Sequence, residues 1–205
     1  MANIKLTKGE LKRLRDALRQ YERYLPTLQL KKQQLQMEIL HQLALLEERK
    51  RNAAIKTSAI KEWVGLLTDP GIDIKPWILP KRIIISERNI AGVDLPVFGS
   101  VEFAPEEYDL FSAPLWADRA LEAFRQLVNM REEISTIEKG IAILRQELRI
   151  TTQRVNLFEK VKIPQAQEAI RIIKIFIGDQ MANAVGRSKI AKRKIEEFAE
   201  ASLAA

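Results

Sequence analysis

Apolar residues recur at alternating intervals of three and four along both ends of this chain. The N-terminal stripe runs through Leu11, Leu14, Leu18, Tyr21, Leu25 and Leu28, misses at Lys32, and resumes at Leu35 and Ile39. It then thins to Leu46, Ala53 and Ile60. The C-terminal stripe is cleaner: Trp116, Ala120, Ala123, Leu127, Met130, Ile134, Ile137, Ile141, Leu144 and Leu148, a miss at Thr151, then Val155 and Phe158. Sustained over about four heptads, such spacing predicts coiled-coil helices. Two helices that each carry a continuous apolar seam can bury it against one another. The expected fold is therefore mainly α, a long antiparallel two-helix coiled coil of the N- and C-terminal helices with a small β-hairpin-containing knob in the middle.

Beyond Pro164 the pattern restarts at Ala166, Ile170, Ile173 and Ile177, takes a second step of four to Met181, and continues through Ala184, Ala191, Ile195 and Phe198. Consecutive steps of four loosen a left-handed supercoil, and Pro164 is expected to kink the helix. Helix one is predicted from about Ile4 to Leu66 and helix two from about Leu115 to Ala201, roughly 95 and 130 Å long at 1.5 Å per residue. Antiparallel pairing sets Leu11 near Ile170, so part of the stretch after Gly178 should overhang as a lone helical tip. A helix that keeps apolar residues without an internal partner calls for an external one.

The middle reads differently. Six of the eight prolines fall between Pro70 and Pro114. Thr68-Asp69-Pro70-Gly71 closes the first helix, and Pro76 and Pro80 argue against another helix directly after it. Strands are predicted at Lys81 to Arg88 and Val93 to Phe103, joined at Ala91-Gly92, as a hairpin beside the base of the rod. Pro105, Glu106, Glu107 and Tyr108 lead through Pro114 into the second helix. The expected divisions are an N-terminal helix over 1–67, a proline-rich connector over 68–114 and a C-terminal helix with a basic tip over 115–205. Trp63, Trp77 and Trp116 are expected to form the knob's small core, with one of them an alternative exposed anchor.

Charge sharpens the picture at the chain ends. The formal charge is +7, and Arg187, Lys189, Lys192, Arg193 and Lys194 place five cations within eight residues. Lys5, Lys8, Lys12, Arg13, Arg15 and Arg19 add more near the N-terminus. Lys8, Arg13, Arg187, Lys189, Lys192, Arg193 and Lys194 are the candidate partner-contacting residues. They suit an acidic protein surface or a phosphate backbone, and equally a solvated face that keeps an apolar rod soluble. A nucleic-acid arm would show steep salt dependence, yet aromatic stacking platforms are missing from the tip. With 30% charged residues and 6% aromatics, the composition favours a long helical pair over a deep core. Zero cysteine removes disulfide and cysteine-zinc scaffolds. No apolar run reaches the roughly 20 residues of a spanning helix, so a soluble intracellular protein is expected.

Candidate chemistry is sparse. His41, the single histidine, sits on a helix face with no triad or ligand spacing around it. Glu106, Glu107 and Asp109 fit a solvated loop or helical turn better than a cation site. The glycines at Gly178 and Gly186 lack the spacing, the lysine and the preceding strand of a phosphate loop. No catalytic residue, metal or cofactor is expected.

One segment carries a family resemblance. Thr151-Thr152-Gln153-Arg154-Val155-Asn156-Leu157-Phe158-Glu159, followed by Ile163-Pro164 and the isoleucine-spaced helix to Ile177, resembles the C-terminal signature of the V-type ATPase D subunits. Leu6-Thr7-Lys8-Gly9-Glu10-Leu11 and Lys31-Lys32-Gln33-Gln34-Leu35 look like that family's opening helix. The chain departs from the family pattern at Gln180-Met181-Ala182-Asn183-Ala184-Val185-Gly186, where an acidic and arginine-rich stretch is usual. The resemblance implies a non-catalytic rotor axle. Its termini would insert into a ring of catalytic and non-catalytic subunits, and its knob would meet the small F subunit of the stalk and the socket subunit above the membrane ring. It implies a cytoplasmic protein, peripheral to the membrane, that couples ATP hydrolysis or synthesis to proton or sodium transport. The F-type counterpart axle fits less well, because a connector of about 45 proline-broken residues is too short for a doubly wound domain.

Overall fold

The computed structural model describes residues 5–63, 65, 74–105, 114 and 116–203, the last six of these without their side chains. The elements are α1 (Lys8–Lys61), α2 (Lys75–Ile78), β1 (Pro80–Ile90), β2 (Val93–Phe103), α3 (Ala117–Leu157), a π-helical turn (Phe158–Lys162) and α4 (Ile163–Leu203). The long N- and C-terminal helices and the central two-stranded hairpin match the expected fold. The turn at Thr68 to Gly71 and the Glu106, Glu107 and Asp109 cluster lie outside the described residues. Contacts divide the chain into two compact units, residues 31–151 and residues 1–30 with 152–205.

In the unit of residues 31–151, α1 and α3 run antiparallel. Leu35 and Ile39 pack with Leu144, and Leu46 packs with Ile137 and Ile141. Arg49 Nε lies 2.9 Å from Glu133 Oε1, and Lys50 Nζ 2.7 Å from Glu138 Oε1. The Arg49 pair is a charge contact, since its N–H is not aligned on the carboxylate. Further along, Lys56 Nζ donates to Gln126 Oε1 at 2.7 Å, and Trp63 meets Phe124 edge-on with centroids 6.1 Å apart. Each step up α1 is matched by a step down α3, as an antiparallel seam requires.

The hairpin turns at Ala91 and Gly92, whose φ angles of 52° and 72° are both left-handed. A two-residue loop with both φ values positive matches the twist of antiparallel strands. Asn89 fixes it: its Oδ1 accepts Gly92 N–H at 3.1 Å, and its Nδ2 donates to Asp94 Oδ1 at 2.6 Å. The register slips between Ile84 and Ile85, where Gly99 is the extra residue, and a Cβ there would come within 3.1 Å of Ile84 O.

The hairpin does not stop at the base of the helix pair. Val93 and Leu95, at its turn end, are buried with Leu35, Ile39 and Leu144. At its open end, Arg125 Nη2 donates to Ala104 O at 2.8 Å and Arg125 Nε to Trp77 O at 3.0 Å, while its guanidinium lies 5.2 Å from the Phe103 ring centre. From Arg125 to Leu144 the helix rises about 29 Å, close to the span of an 11-residue strand. The strand length thus lets the hairpin lie along the pair.

Two further expectations are corrected. Pro76 stands in a short helix, at an N-terminal position where its missing N–H breaks no bond. Trp63, Trp77 and Trp116 are half-buried, not a closed core, and Trp63 and Trp116 line an open cleft of about 510 Å³. The buried residues nearby are Ile60, Ile74, Ala117, Ala120 and Leu121.

In the other unit, α1 opens at a capping turn in which Thr7 Oγ1 accepts Glu10 N–H at 3.2 Å. Leu11, Leu14, Leu18, Tyr21, Leu25 and Leu28 are half-buried, and the residues between them are mostly exposed. From the C-terminal segment Val155, Ala166, Ala169, Ile170 and Ile173 are buried. Tyr21 and Phe158 meet with ring centroids 5.3 Å apart. Pro26 lies inside α1.

Candidate functional site

The candidate site is the end of α4. Burial along this helix stops abruptly: Ile173 is fully buried, Phe176 and Ile177 are half-buried, and every residue from Gly178 to Glu197 is exposed. The stretch still carries Met181, Val185, Ile190 and Ile195, exposed by 52%, 55%, 60% and 69%. At 100° per residue, Met181, Val185 and Ile195 share one side and Ile190 stands opposite them. Apolar groups therefore face solvent on two sides of the helix.

The cations are interleaved with these groups. Lys192 Nζ lies 3.6 Å from Glu196 Oε1, and Arg193 Nε donates to Glu197 Oε1 at 2.8 Å. Arg187 Nε donates to Asn183 O at 3.4 Å. Lys189 and Lys194 have no ion-pair partner among the described residues. Surface pairs of this type contribute little to stability, so all five cations remain available to a partner.

At the other end of the chain, Lys5, Lys8, Lys12, Arg15 and Arg19 are exposed on or just before α1. Arg13 Nη2 donates to Glu10 Oε1 at 2.6 Å. Both groups of cations belong to the same unit, but no hydrogen bond or ion pair joins them among the described residues. About two turns before the exposed stretch, Arg171 grips Glu168 with two hydrogen bonds of 2.9 and 2.7 Å. Those bonds, aided by the charge of Arg171, hold the Glu168 carboxyl below its ordinary range and raise the Arg171 guanidinium.

Groups suited to chemistry are not assembled. His41 is exposed on α1 with Nδ1 3.8 Å from Glu38 Oε1. No cluster of three or more metal-ligating side chains occurs among the described residues. Gly178 and Gly186 lie within α4, not in a loop. No helix among the described residues is long and apolar enough to cross a membrane. Sequence reasoning passed over Arg125, whose partners lie 21 and 48 positions away and leave no local signal.

Comparison with known proteins is consistent along nearly the whole chain. The family of ATP synthase D subunits matches residues 10–193. The chain is 42% identical over 200 residues to the V-type ATP synthase D subunit of Borreliella burgdorferi, covering 95% of this chain and 96% of that protein. It is 32% identical to the Chlamydia pneumoniae protein of the same name, covering 94% and 93%. The Chlamydia trachomatis counterpart is 33% identical over 209 residues, covering 97% and 99%.

Proposed function

Because this chain belongs to the D-subunit family of V-type ATP synthases, we propose that it is the central rotor axle of such a complex. In this reading both termini of the chain enter a ring of alternating catalytic and non-catalytic subunits. The hairpin-bearing middle meets the small F subunit of the stalk and the socket subunit above the membrane ring. The chain stays peripheral to the membrane on the cytoplasmic side and couples ATP hydrolysis or synthesis to proton or sodium transport.

The observation that carries the reading is the unbroken exposure of Gly178 to Glu197 in a helix that keeps Met181, Val185, Ile190 and Ile195. A flat partner would cover one side of this helix. Apolar groups on opposite sides suit a partner that surrounds it, as a ring does. Lys8, Arg13, Arg187, Lys189, Lys192, Arg193 and Lys194 are the cations proposed to meet that ring.

The mechanism is differential contact. Three otherwise equivalent nucleotide sites around an asymmetric shaft each face a different side of it, and so become unequal. Shifting one site from 1:99 to 99:1 in favour of one conformation takes about 5.5 kcal/mol of differential affinity. A few apolar and charge-assisted contacts at the tip are enough to supply it. No residue of this chain is assigned a catalytic role.

Pull-down of the endogenous protein from native membranes, followed by mass spectrometry, tests the assignment. The nucleotide-binding ring subunits and a small companion subunit are expected together. A free, partnerless protein would contradict it.

A further inference from the structure

We propose that the outer edge of β1 is a docking site for an extended, acidic segment of a partner protein, which adds there as a third strand of the hairpin's sheet. The contact is independent of the rotor assignment, because it needs only this chain and the added strand.

The hairpin has two edges, and they differ. Because the turn is two residues long, Ile90 and Val93 form a hydrogen-bonded pair, and bonded and non-bonded pairs alternate from there. Arg88 with Leu95 and Ser86 with Val97 therefore bond to one another. Asn89 with Asp94, Glu87 with Pro96 and Ile85 with Phe98 turn their backbone polar groups outward. On β2 one of these outward positions is Pro96, which has no N–H to offer a further strand. On β1, Ile85, Glu87 and Asn89 all keep theirs. No hydrogen bond from outside the hairpin reaches the backbone of these three among the described residues.

Exposure and charge favour the same edge. Val93 and Leu95 of β2 are buried against the helix pair, whereas every residue from Ile84 to Asn89 is exposed. Ile84 and Ile85 belong to a run of three isoleucines, whose β-branched side chains suit a neighbouring strand. Cations stand at both ends of this run, Lys81 and Arg82 before it and Arg88 after it, and none is in an ion pair among the described residues. Glu87 is the single acidic residue of β1. The acidic residues of the hairpin's other strand are Asp94 and Glu102, and Asp94 is engaged by Asn89 Nδ2 at 2.6 Å. A second copy of β1 would bring net like charge to the edge, which disfavours it; a strand with carboxylates at its ends meets the cations instead. Main-chain hydrogen bonds would supply the affinity and the flanking cations the choice of partner.

Amide exchange followed residue by residue on the full chain tests the edge. In the free protein the amides of Ile85, Glu87 and Asn89 should exchange at least about tenfold faster than those of Ser86, Arg88 and Ile90, which bond to β2. The probe is a synthetic peptide of alternating valine and threonine flanked by glutamates. Its addition should slow the three outward amides at least about tenfold and leave the other three little changed. The same peptide flanked by lysines should bind at least about tenfold more weakly. Glu87→Pro, which copies the Pro96 edge onto β1, should abolish the slowing at Ile85 and Asn89. Arg82→Glu with Arg88→Glu, which leaves the backbone donors in place, should reverse the preference between the two peptides. Equal binding of both peptides, or no slowing at the outward amides, would overturn the proposal. So would slowing that grows with the concentration of this chain alone, the sign of two copies pairing edge to edge.

Discussion

Arg125 Nη2 donates to the carbonyl of Ala104 at 2.8 Å, tying the outgoing end of the hairpin to α3. Its Nε holds Trp77 O just before the incoming strand, so one guanidinium closes the hairpin's open end. Hydrogen bonds from a charged donor contribute about 1.5–3 kcal/mol each. Arg125→Ala is expected to lower unfolding free energy by about 2–3 kcal/mol. Hydrogen exchange should rise across residues 80–103 while α1 and α3 keep their protection. Denaturant unfolding and exchange together check both parts.

Ala91 occupies a left-handed conformation at φ 52°, which costs a residue with a Cβ about 1–2 kcal/mol. Asn at this position makes the favoured Asn-Gly turn. Ala91→Asn should therefore raise the denaturant midpoint, by about 0.5–1 kcal/mol in stability. Gly92→Val, at φ 72°, should lower it by a similar or larger amount.

Leu144 is fully buried and Ile141 4% exposed, both facing the apolar residues of α1. Aspartate at both places unpaired charges in the seam, at a cost of several kcal/mol each. Loss of helicity at ordinary temperature is the expected circular-dichroism result. Leu144→Ala alone should cost about 2–5 kcal/mol.

Glu168 should titrate below the ordinary carboxylate range because Arg171 hydrogen-bonds its ionised form. A depressed folded pKa stabilises above the unfolded value and loses that contribution as pH falls through the folded one. The carboxyl carbon shift followed by NMR should therefore move at a lower pH than that of Glu168 in Arg171→Gln.

Much of this fold could be read along the chain because its periodicities are local. The stripe through Ile137, Ile141 and Leu144 is buried as its spacing requires, and Ala91-Gly92 marks the hairpin turn. Thr151, a miss by polarity, is 2% exposed, since position on the seam decides burial even for a hydroxyl. What stayed hidden was non-local. The hairpin's resting place depends on Val93 and Leu95 meeting Leu35 and Leu144, and the clamp depends on Arg125 reaching two distant carbonyls. Pro164 signalled a disturbed helix, but not that the ladder would take up an extra residue as a π turn. At the tip the five cations were plain and part of the stretch after Gly178 was expected to overhang, but unbroken exposure from Gly178 to Glu197 was not foreseen. The pairing of Lys192 and Arg193 with Glu196 and Glu197 follows from four-residue spacing.

The most direct measurement is the ratio of ions transported to ATP hydrolysed by the reconstituted complex carrying this chain cut after Gly186. An axle whose exposed end meets the ring predicts that hydrolysis continues while transport per ATP falls severalfold. An unchanged ratio in the truncated complex would contradict the account.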